Sequence, residues 1–580
     1  MPGPFDGVNG TFTESTVTSE VDRILNLVNV NGFINGSASK SAGNDNSNTP
    51  VAHSQTTQDS KLAAEGAAPI EDNVAKPPCI PPITRMLADF IASAEPSLIT
   101  NELREQLSEC LLDFLGVTAA GAVLAPSSDP ILAGVLAFDQ RKTIPDERGC
   151  TVITRGQSYA VHIAALLNAT YGHSLDFDDT HAVSSLHAGV TAISTALAEA
   201  EQQLNNGAPV PNEKFLLAIL LGYETTIRIG VALSTASYSR GFHNTSVAGI
   251  FGCVAVLSVL RQLSSDVIVN AFGLAGSKAA GSMQYLANGS HNKRLHAGFA
   301  AHDAFLCVAL AEAGVIGAAA IIEGDLGLLQ GYTDRDRADV DWNRLIGNLG
   351  QRWEFRDSAL KPYAGCRMTH GFIELADSLG QHIREGKFAD RGVINSGTLD
   401  GIKKIRCIMP KANMILVGQK IPNKIHPENT VDAQFSAYYQ VANAIVYGGT
   451  HDMAAYAAER LQSEEIRALC DRIECVVDDS MKGMSCRMDA FLQDEDGNMV
   501  ECVRKEVPEP LGERSHPFER ARVEAKFLGL MEQVYGKDSD RGPKVLEAVA
   551  LLNKGGTETD VRQLMDILSQ KPIASSGKIE

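Results

Sequence analysis

Residues 172–181 read Gly172-His173-Ser174-Leu175-Asp176-Phe177-Asp178-Asp179-Thr180-His181, with His187 close behind. Three carboxylates and two imidazoles share these ten positions. A folded interior tolerates such a cluster only if each charge meets a partner, a metal or a substrate. The polar residues are too dense for one face of a helix. The segment is therefore expected on a loop after a helix over 160–169, the kind of place where rigid scaffolds hold reactive groups. Three chemistries fit the residue types. They are a divalent-metal site with Asp and His ligands, the Asp-x-Asp-Asp acid of a proton-initiated terpene cyclisation, and a metal-free acid–base site whose carboxylates orient other groups. A terpene site needs an aromatic-lined cavity, and aromatic residues make up only 6% of the chain. A metal needs further acidic ligands, whereas the other candidate segments are basic. The metal-free site is preferred, and no metal is expected.

Three further segments could join it. Arg240-Gly241-Phe242-His243-Asn244-Thr245-Ser246 places an imidazole between a glycine turn and an apolar helix, a position suited to anions. The plain alternative is a capping turn with a solvent-facing histidine. The run from His291 to His302 sets Lys293, Arg294 and His296 ahead of an apolar helix. Lys293 and Arg294 can pair with carboxylates, the arginine in a bidentate way; otherwise this is a solvated basic loop. Lys361-Pro362-Tyr363-Ala364-Gly365-Cys366-Arg367-Met368-Thr369-His370 adds two more cations, and His370 could stack into the same cleft. Cys366 has no activating partner in the sequence and reads as a core thiol. Glu224 and Arg228, four apart in an apolar helix, read as a structural ion pair. The run Gly273–Gly281 fits neither dinucleotide nor P-loop spacing and is expected to serve tight helix packing.

These residues need a scaffold. From Ile83 the apolar spacing is helical over 83–94, 102–120, 160–169, 188–204, 213–233, 246–263, 265–279 and 298–323. The helices around 247–260 and 300–322 are apolar on nearly every face and should be central. Near Asp357 the texture changes to short strands over 401–409, 472–477, 486–492 and 499–506, with a hairpin turn at 494–498. Helices intervene at 369–386, 436–447 and 450–461 and resume after Pro510, at 517–535, 544–552 and 560–568. The expected fold class is mainly α with an α+β part. A discontinuous helical domain, 83–356 and 511–575, would carry a smaller α+β lid at 357–510. Residues 1–82, rich in Asn, Ser, Thr and Gly, read as a disordered extension with one short helix near Val21–Val28.

Composition narrows the function classes. A net charge of -19 over 580 residues argues against a nucleic-acid partner. The eleven cysteines form no C-x-x-C pair, which fits a reducing compartment and gives no cluster site. Long apolar stretches near 215–233 and 300–322 are broken by charges and read as buried helices, so no membrane partner is expected. The N-terminus lacks a signal peptide, and Asp6, Glu14, Glu20 and Asp22 precede its first basic residue. A cytoplasmic location is expected in preference to a mitochondrial one.

Four strings, in this order, resemble the MmgE/PrpD family, which holds 2-methylcitrate dehydratases and cis-aconitate decarboxylases. They are His-x-Leu-Asp-Phe-Asp-Asp-Thr-His, Gly-Phe-His-Asn, Lys-Arg-Leu-His-x-Gly-x-Ala-Ala and Lys-Pro-Tyr-x-x-Cys-Arg-x-Thr-His. The resemblance spans about 83–575. It implies a homodimer with its site between the helical and α+β parts, and no cofactor. Carried over by motif, the site comprises Asp176, Thr180, His187, His243, Lys293 and Lys361. His187 and His243 would be the acid–base pair, oriented with Asp176 and Thr180. Lys293 and Lys361, helped by Arg294 or Arg367, would hold the carboxylates of a citrate- or aconitate-type substrate. Asp-Phe-Asp-Asp-Thr, where the dehydratases carry Asp-Tyr-Asn-Asp-Thr, favours a cis-aconitate decarboxylase-like lyase that releases CO2. The site tyrosine of animal-type decarboxylases has no counterpart in Lys411–Ile415. An alkylcitrate dehydratase, of specialised metabolism, is the alternative reaction. A non-catalytic scaffold of the same fold is expected to have lost one or more of these residues, and all six positions hold a group able to act.

Overall fold

The computed structural model describes residues 80–139, 149–333, 340–388, 399–451, 453–494, 496–556 and 561–572. The tail expected over 1–82, with its helix near Val21–Val28, falls almost wholly outside them.

The first part of the chain folds as packed helices: α1 (Ile83–Ser93), α2 (Asn101–Leu124), α3 (Ser128–Phe138), α4 (Val161–Gly172), α5 (Gly189–Asn205), α6 (Asn212–Ser239), α7 (Asn244–Arg261), α8 (Ser265–Gly276) and α9 (Asn292–Glu312). Local chemistry sets the boundaries. Thr100 caps α2 by accepting from the Leu103 amide at 3.3 Å. Helix α7 is buried on every face from Asn244 to Leu260 and packs against α5, α6 and α9. Apolar residues all round predict such a central place.

Helix α9 differs from expectation at both ends. It starts at Asn292, so Lys293, Arg294 and His296 lie on its first turns. It stops at Glu312 because Gly314 takes φ 91° and the Val315 amide donates back to Leu310 O at 2.9 Å, a helix-closing turn. Nor is α9 fully central: Phe299 and Leu306 are about half exposed on one side. Its other side lies against α4. There Gly298 is required, since a Cβ would stand 2.2 Å from Thr170 Oγ1 and 2.7 Å from Leu166 O. Gly273 serves packing as expected, with a Cβ position 2.2 Å from Ala318 N.

The later part carries a four-stranded sheet of β1 (Ile402–Met409), β2 (Ile473–Val477), β3 (Cys486–Gln493) and β4 (Met499–Val507). Their order is β2-β1-β3-β4, with β1 and β2 parallel and the other pairs antiparallel. The expected hairpin turn forms between β3 and β4, where Asp494 Oδ1 accepts from the Asn498 amide at 2.7 Å. Helix α10 (His370–Arg384) packs against α11 (Ala437–Tyr447) and touches β3 and β4. The single helix expected over 450–461 is instead a 3-10 turn, Met453–Tyr456, and a short helix, Ala458–Leu461. The chain then returns as α12 (Arg520–Tyr535), α13 (Arg541–Asn553) and α14 (Val561–Ser569). Helices α12 and α13 pack on α2, and α14 packs on α5.

Glu224 and Arg228 form the expected pair in α6, and it is fully buried. Arg228 also donates to the carbonyls of Arg344, Leu345, Gly347 and Arg352, while Glu224 accepts from the amides of Glu354 and Phe355. This pins the connector that leads into Ser358–Ala359. Among the described residues, α2, α6 and α7 are long and apolar enough to cross a membrane, and each is covered by the fold.

Candidate active site

Helix α4 ends at Gly172 and the chain turns through the carboxylate-rich segment, as expected. Asp176 sits there at φ 51°, a left-handed conformation that Asp tolerates better than most residues. Thr180–His181 pairs antiparallel with Ser358–Ala359, which brings Lys361 back beside the turn. His187 stands just before α5, His243 is the residue before α7, and Lys293 is on the first turn of α9. These elements bring Asp176, Thr180, His187, His243, Lys293 and Lys361 to one cleft of about 520 Å³ including its mouth. Tyr238, Cys366, Met368, Leu416, Phe435 and Met484 add a largely apolar wall.

Two ammonium groups meet on one carboxylate. Lys293 Nζ pairs with Asp176 Oδ1, and Lys361 Nζ stands 3.2 Å from the same oxygen and 2.9 Å from the Asp176 carbonyl. Burial works to raise the Asp176 carboxyl; Lys293, Lys361 and His187 outweigh it and hold the group far below the usual carboxylate range. The Oδ2 of Asp176 and the Oγ1 of Thr180 are buried with no hydrogen-bond partner among the described residues.

The imidazoles form a second cluster. His173 and His187 meet edge to face at 4.6 Å, and His173 stacks on His243 at 5.7 Å. His173 Nδ1 donates to Asp178 Oδ2 at 2.8 Å, and His187 Nδ1 lies 3.0 Å from the same oxygen, an ion-pair approach not aligned as a hydrogen bond. His243 is not solvent-facing: it is buried, with Nδ1 3.0 Å from His296 Nδ1 and Nε2 3.1 Å from Thr245 Oγ1. The Thr245 hydroxyl also accepts from the His187 amide at 3.1 Å, so one side chain ties both histidines. Burial depresses the proton affinity of His187, aided by Lys361 and Lys293 and opposed by Asp178. Burial, then His296, His173 and Lys293, push His243 well below the ordinary imidazole value.

Both arginines have other employment. Arg294 is buried, does not itself line the cleft, and donates to Ser127 Oγ at 2.7 Å. Arg367 touches the cleft, but its guanidinium bonds to Glu513 and to the carbonyls of Leu511 and Pro510, tying 510–513 to the segment after Lys361. His370 likewise turns inward, to Arg367 and to the Gly365 carbonyl. Cys366 lines the cleft as a buried thiol; burial and then Asp176 push its proton affinity up, which suits a wall group and not a nucleophile.

Sequence reasoning passed over Asp178, His173 and His296 as individual site residues. Asp178 and His173 were legible only as members of the string. His296 shares a helix face with Lys293, a relation hidden by reading both as lying ahead of the helix. Lys526 of α12 was also missed. It bonds to Asp113 Oδ1 at 2.6 Å and to the carbonyls of Phe177 and Lys361 at 3.0 and 2.9 Å. Nothing in its local sequence marks it.

Among the described residues, two groups bring possible metal donors within 4.8 Å of one another, His173/His187/His243 and His181/Glu354/Asp357. In the first, Asp178 and His296 already face the Nδ1 atoms and Lys293 stands near. We read it as an acid–base cluster.

Buried imidazoles and paired lysines on a helical scaffold with an α+β part define a class. The N-terminal domain of the MmgE/PrpD family matches residues 85–341 and its C-terminal domain matches 363–551, and the chain belongs to that family. Its relatives include the cis-aconitate decarboxylase-like protein oryM of Aspergillus oryzae, 25% identical over 84% of this chain and 97% of that protein. The cis-aconitate decarboxylase of Aspergillus terreus is 24% identical over 84% of this chain and 96% of its own length. The human cis-aconitate decarboxylase is 26% identical over 54% of this chain and 60% of its own.

Proposed function

We propose that this protein is a lyase of the cis-aconitate decarboxylase type, releasing CO2 from an aconitate-type tricarboxylic acid. One observation carries the reading: Lys293 and Lys361, far apart in sequence, converge on a single carboxylate beside His187 and His243. A site that holds an Asp176 carboxylate this way can hold a substrate carboxylate the same way, as point-charge donors do. The relatives' names support the substrate class.

In cis-aconitate, the bond from the CH2 carbon to its carboxylate breaks and CO2 leaves. The freed pair forms a new terminal C=C. The old double-bond pair takes a proton at the carbon next to another carboxylate, giving a 2-methylene diacid. The step needs one proton and the stabilisation of negative charge. His187 or His243 supplies the first, and Lys293 and Lys361 the second. Thr180 Oγ1 is a buried hydroxyl that can donate to a substrate carboxylate. Each role falls to a side chain of this chain, so the reading calls for no cofactor.

Incubation with cis-aconitate, its alkylated homologues and alkylcitrates, followed by product masses, tests this. Loss of CO2 from the aconitate-type acids is expected. Loss of water from the citrates alone would make it a dehydratase on the same groups. Neither reaction, with no ligand-induced rise in thermal stability, would leave a scaffold. The partner we propose besides substrate is a second copy of this chain, on the exposed apolar stripe Phe299, Leu306 and Leu310 of α9.

A further inference from the structure

We infer that Asp178 is the positioning residue of the acid–base machinery: it fixes the proton of His187 on Nδ1 and so presents Nε2 to the substrate. The inference rests on the lyase reading above. Asp178 does not line the cleft, whereas His187 does. It is buried, and one of its oxygens, Oδ2, faces the Nδ1 atoms of both His173 and His187, at 2.8 and 3.0 Å. An ionised carboxylate only accepts, so the His173 Nδ1 bonded to it carries the hydrogen, and its charge at 3.0 Å favours an N–H over a lone pair on His187 Nδ1, which is not itself aligned as a hydrogen bond. Burial acts to raise the Asp178 carboxyl, and His187 and His173 overcome it and keep the group ionised. The other nitrogen of His187, Nε2, is then the one that exchanges protons.

Charge gives the second half of the role. His187 faces Asp178 and His173 from the turn after α4, His243 from the start of α7, Lys293 from α9 and Lys361 from the segment after Ser358–Ala359, with Asp176 between the lysines. An imidazolium there stands among two ammonium groups. Asp176 is shared by those ammonium groups, which leaves Asp178 as the carboxylate next to the ring. It makes the protonated state of His187 accessible during turnover. Asp176 and Asp178 therefore divide the work: one holds the cations, the other holds the acid.

The test uses the full chain labelled with 15N-histidine, with the His187 signals assigned by comparison with His187→Gln. The wild-type ring is expected as the Nδ1–H tautomer, and Asp178→Asn moves it toward Nε2–H. In turnover of cis-aconitate, Asp178→Asn is expected to lower kcat about 10²-fold with KM little changed. Without the carboxylate His187 binds its proton less well, so the alkaline limb of kcat moves to lower pH. Asp178→Glu should bring the limb back. A wild-type ring protonated on Nε2 overturns the inference, whether or not the variant folds. So does a folded Asp178→Asn protein with wild-type kcat and pH profile. If the wild type leaves cis-aconitate unchanged, the lyase reading fails, and the tautomer still decides the role of Asp178.

Discussion

Asp176 and Asp178 stand two residues apart and face opposite kinds of partner, lysines for one and imidazoles for the other. Spacing alone could not show this division. The motif strings named the cleft residues Asp176, Thr180, His187, His243, Lys293 and Lys361, but the backbone turn at Asp176 decides who meets whom. The same limit explains Arg294 and Arg367, whose charge was visible and whose partners Ser127 and Glu513 come from distant chain. At this scale, His243→Ala is expected to lower kcat on the true substrate by about 10²-fold or more, the usual range for an acid–base group. Steady-state rates on the folded variant check it. The pH profile carries a second expectation. His187 and His243 both hold protons less tightly than a free imidazole in the unliganded protein. The step consumes a proton, so kcat/KM should fall as pH rises through these depressed values. A bound polyanion favours imidazolium, so kcat should persist to higher pH than kcat/KM. Coincident limbs in the two profiles would remove the histidines as proton donors.

Elements were more legible than contacts. Helical spacing located α1, α2, α4 to α8 and α10 to α14, and short β-branched or alternating runs with the Asp494–Asn498 turn located β1 to β4. The start of α9 was obscured because Lys293, Arg294 and His296 look like loop residues, yet each finds a buried partner that lets a helical turn carry it inside. Helix α3 gave no distinct signal. The long-range ties are what sequence withholds most completely, and Lys526 shows it. Lys526→Met leaves Asp113 as an uncompensated buried carboxylate, and a loss of about 3 kcal/mol in unfolding free energy is expected. The folded state already raises the proton affinity of Asp113, by burial, against the pull of Lys526. With the lysine gone, the fold accepts Asp113 mainly in its protonated form. The loss should therefore be largest near neutral pH and shrink in acid. Denaturant unfolding at several pH values measures it; a loss independent of pH would point to packing alone.

For the whole molecule, the division into a helical part and a sheet-bearing part was readable from the change in residue texture near Asp357. Phe299, Leu306 and Leu310 recur at helical spacing on α9, and Val315 and Ile316 beyond it are also exposed. Large apolar side chains exposed along one helix in this way suit an association site. We expect the protein to sediment as a dimer and Leu306→Glu to shift it toward monomer. A wild type that sediments as a monomer at micromolar concentration would sink this.

The ammonium of Lys526 holds the carbonyls of Phe177 and Lys361, yet it is translated after every residue that lines the cleft, Met484 being the last of these. On the ribosome, every residue that lines the cleft emerges before the clasp that locks two of its walls. Catalytic competence should consequently arrive abruptly once α12 has emerged, and nascent chains stalled before α12 should be inert even though each acid–base group is already translated.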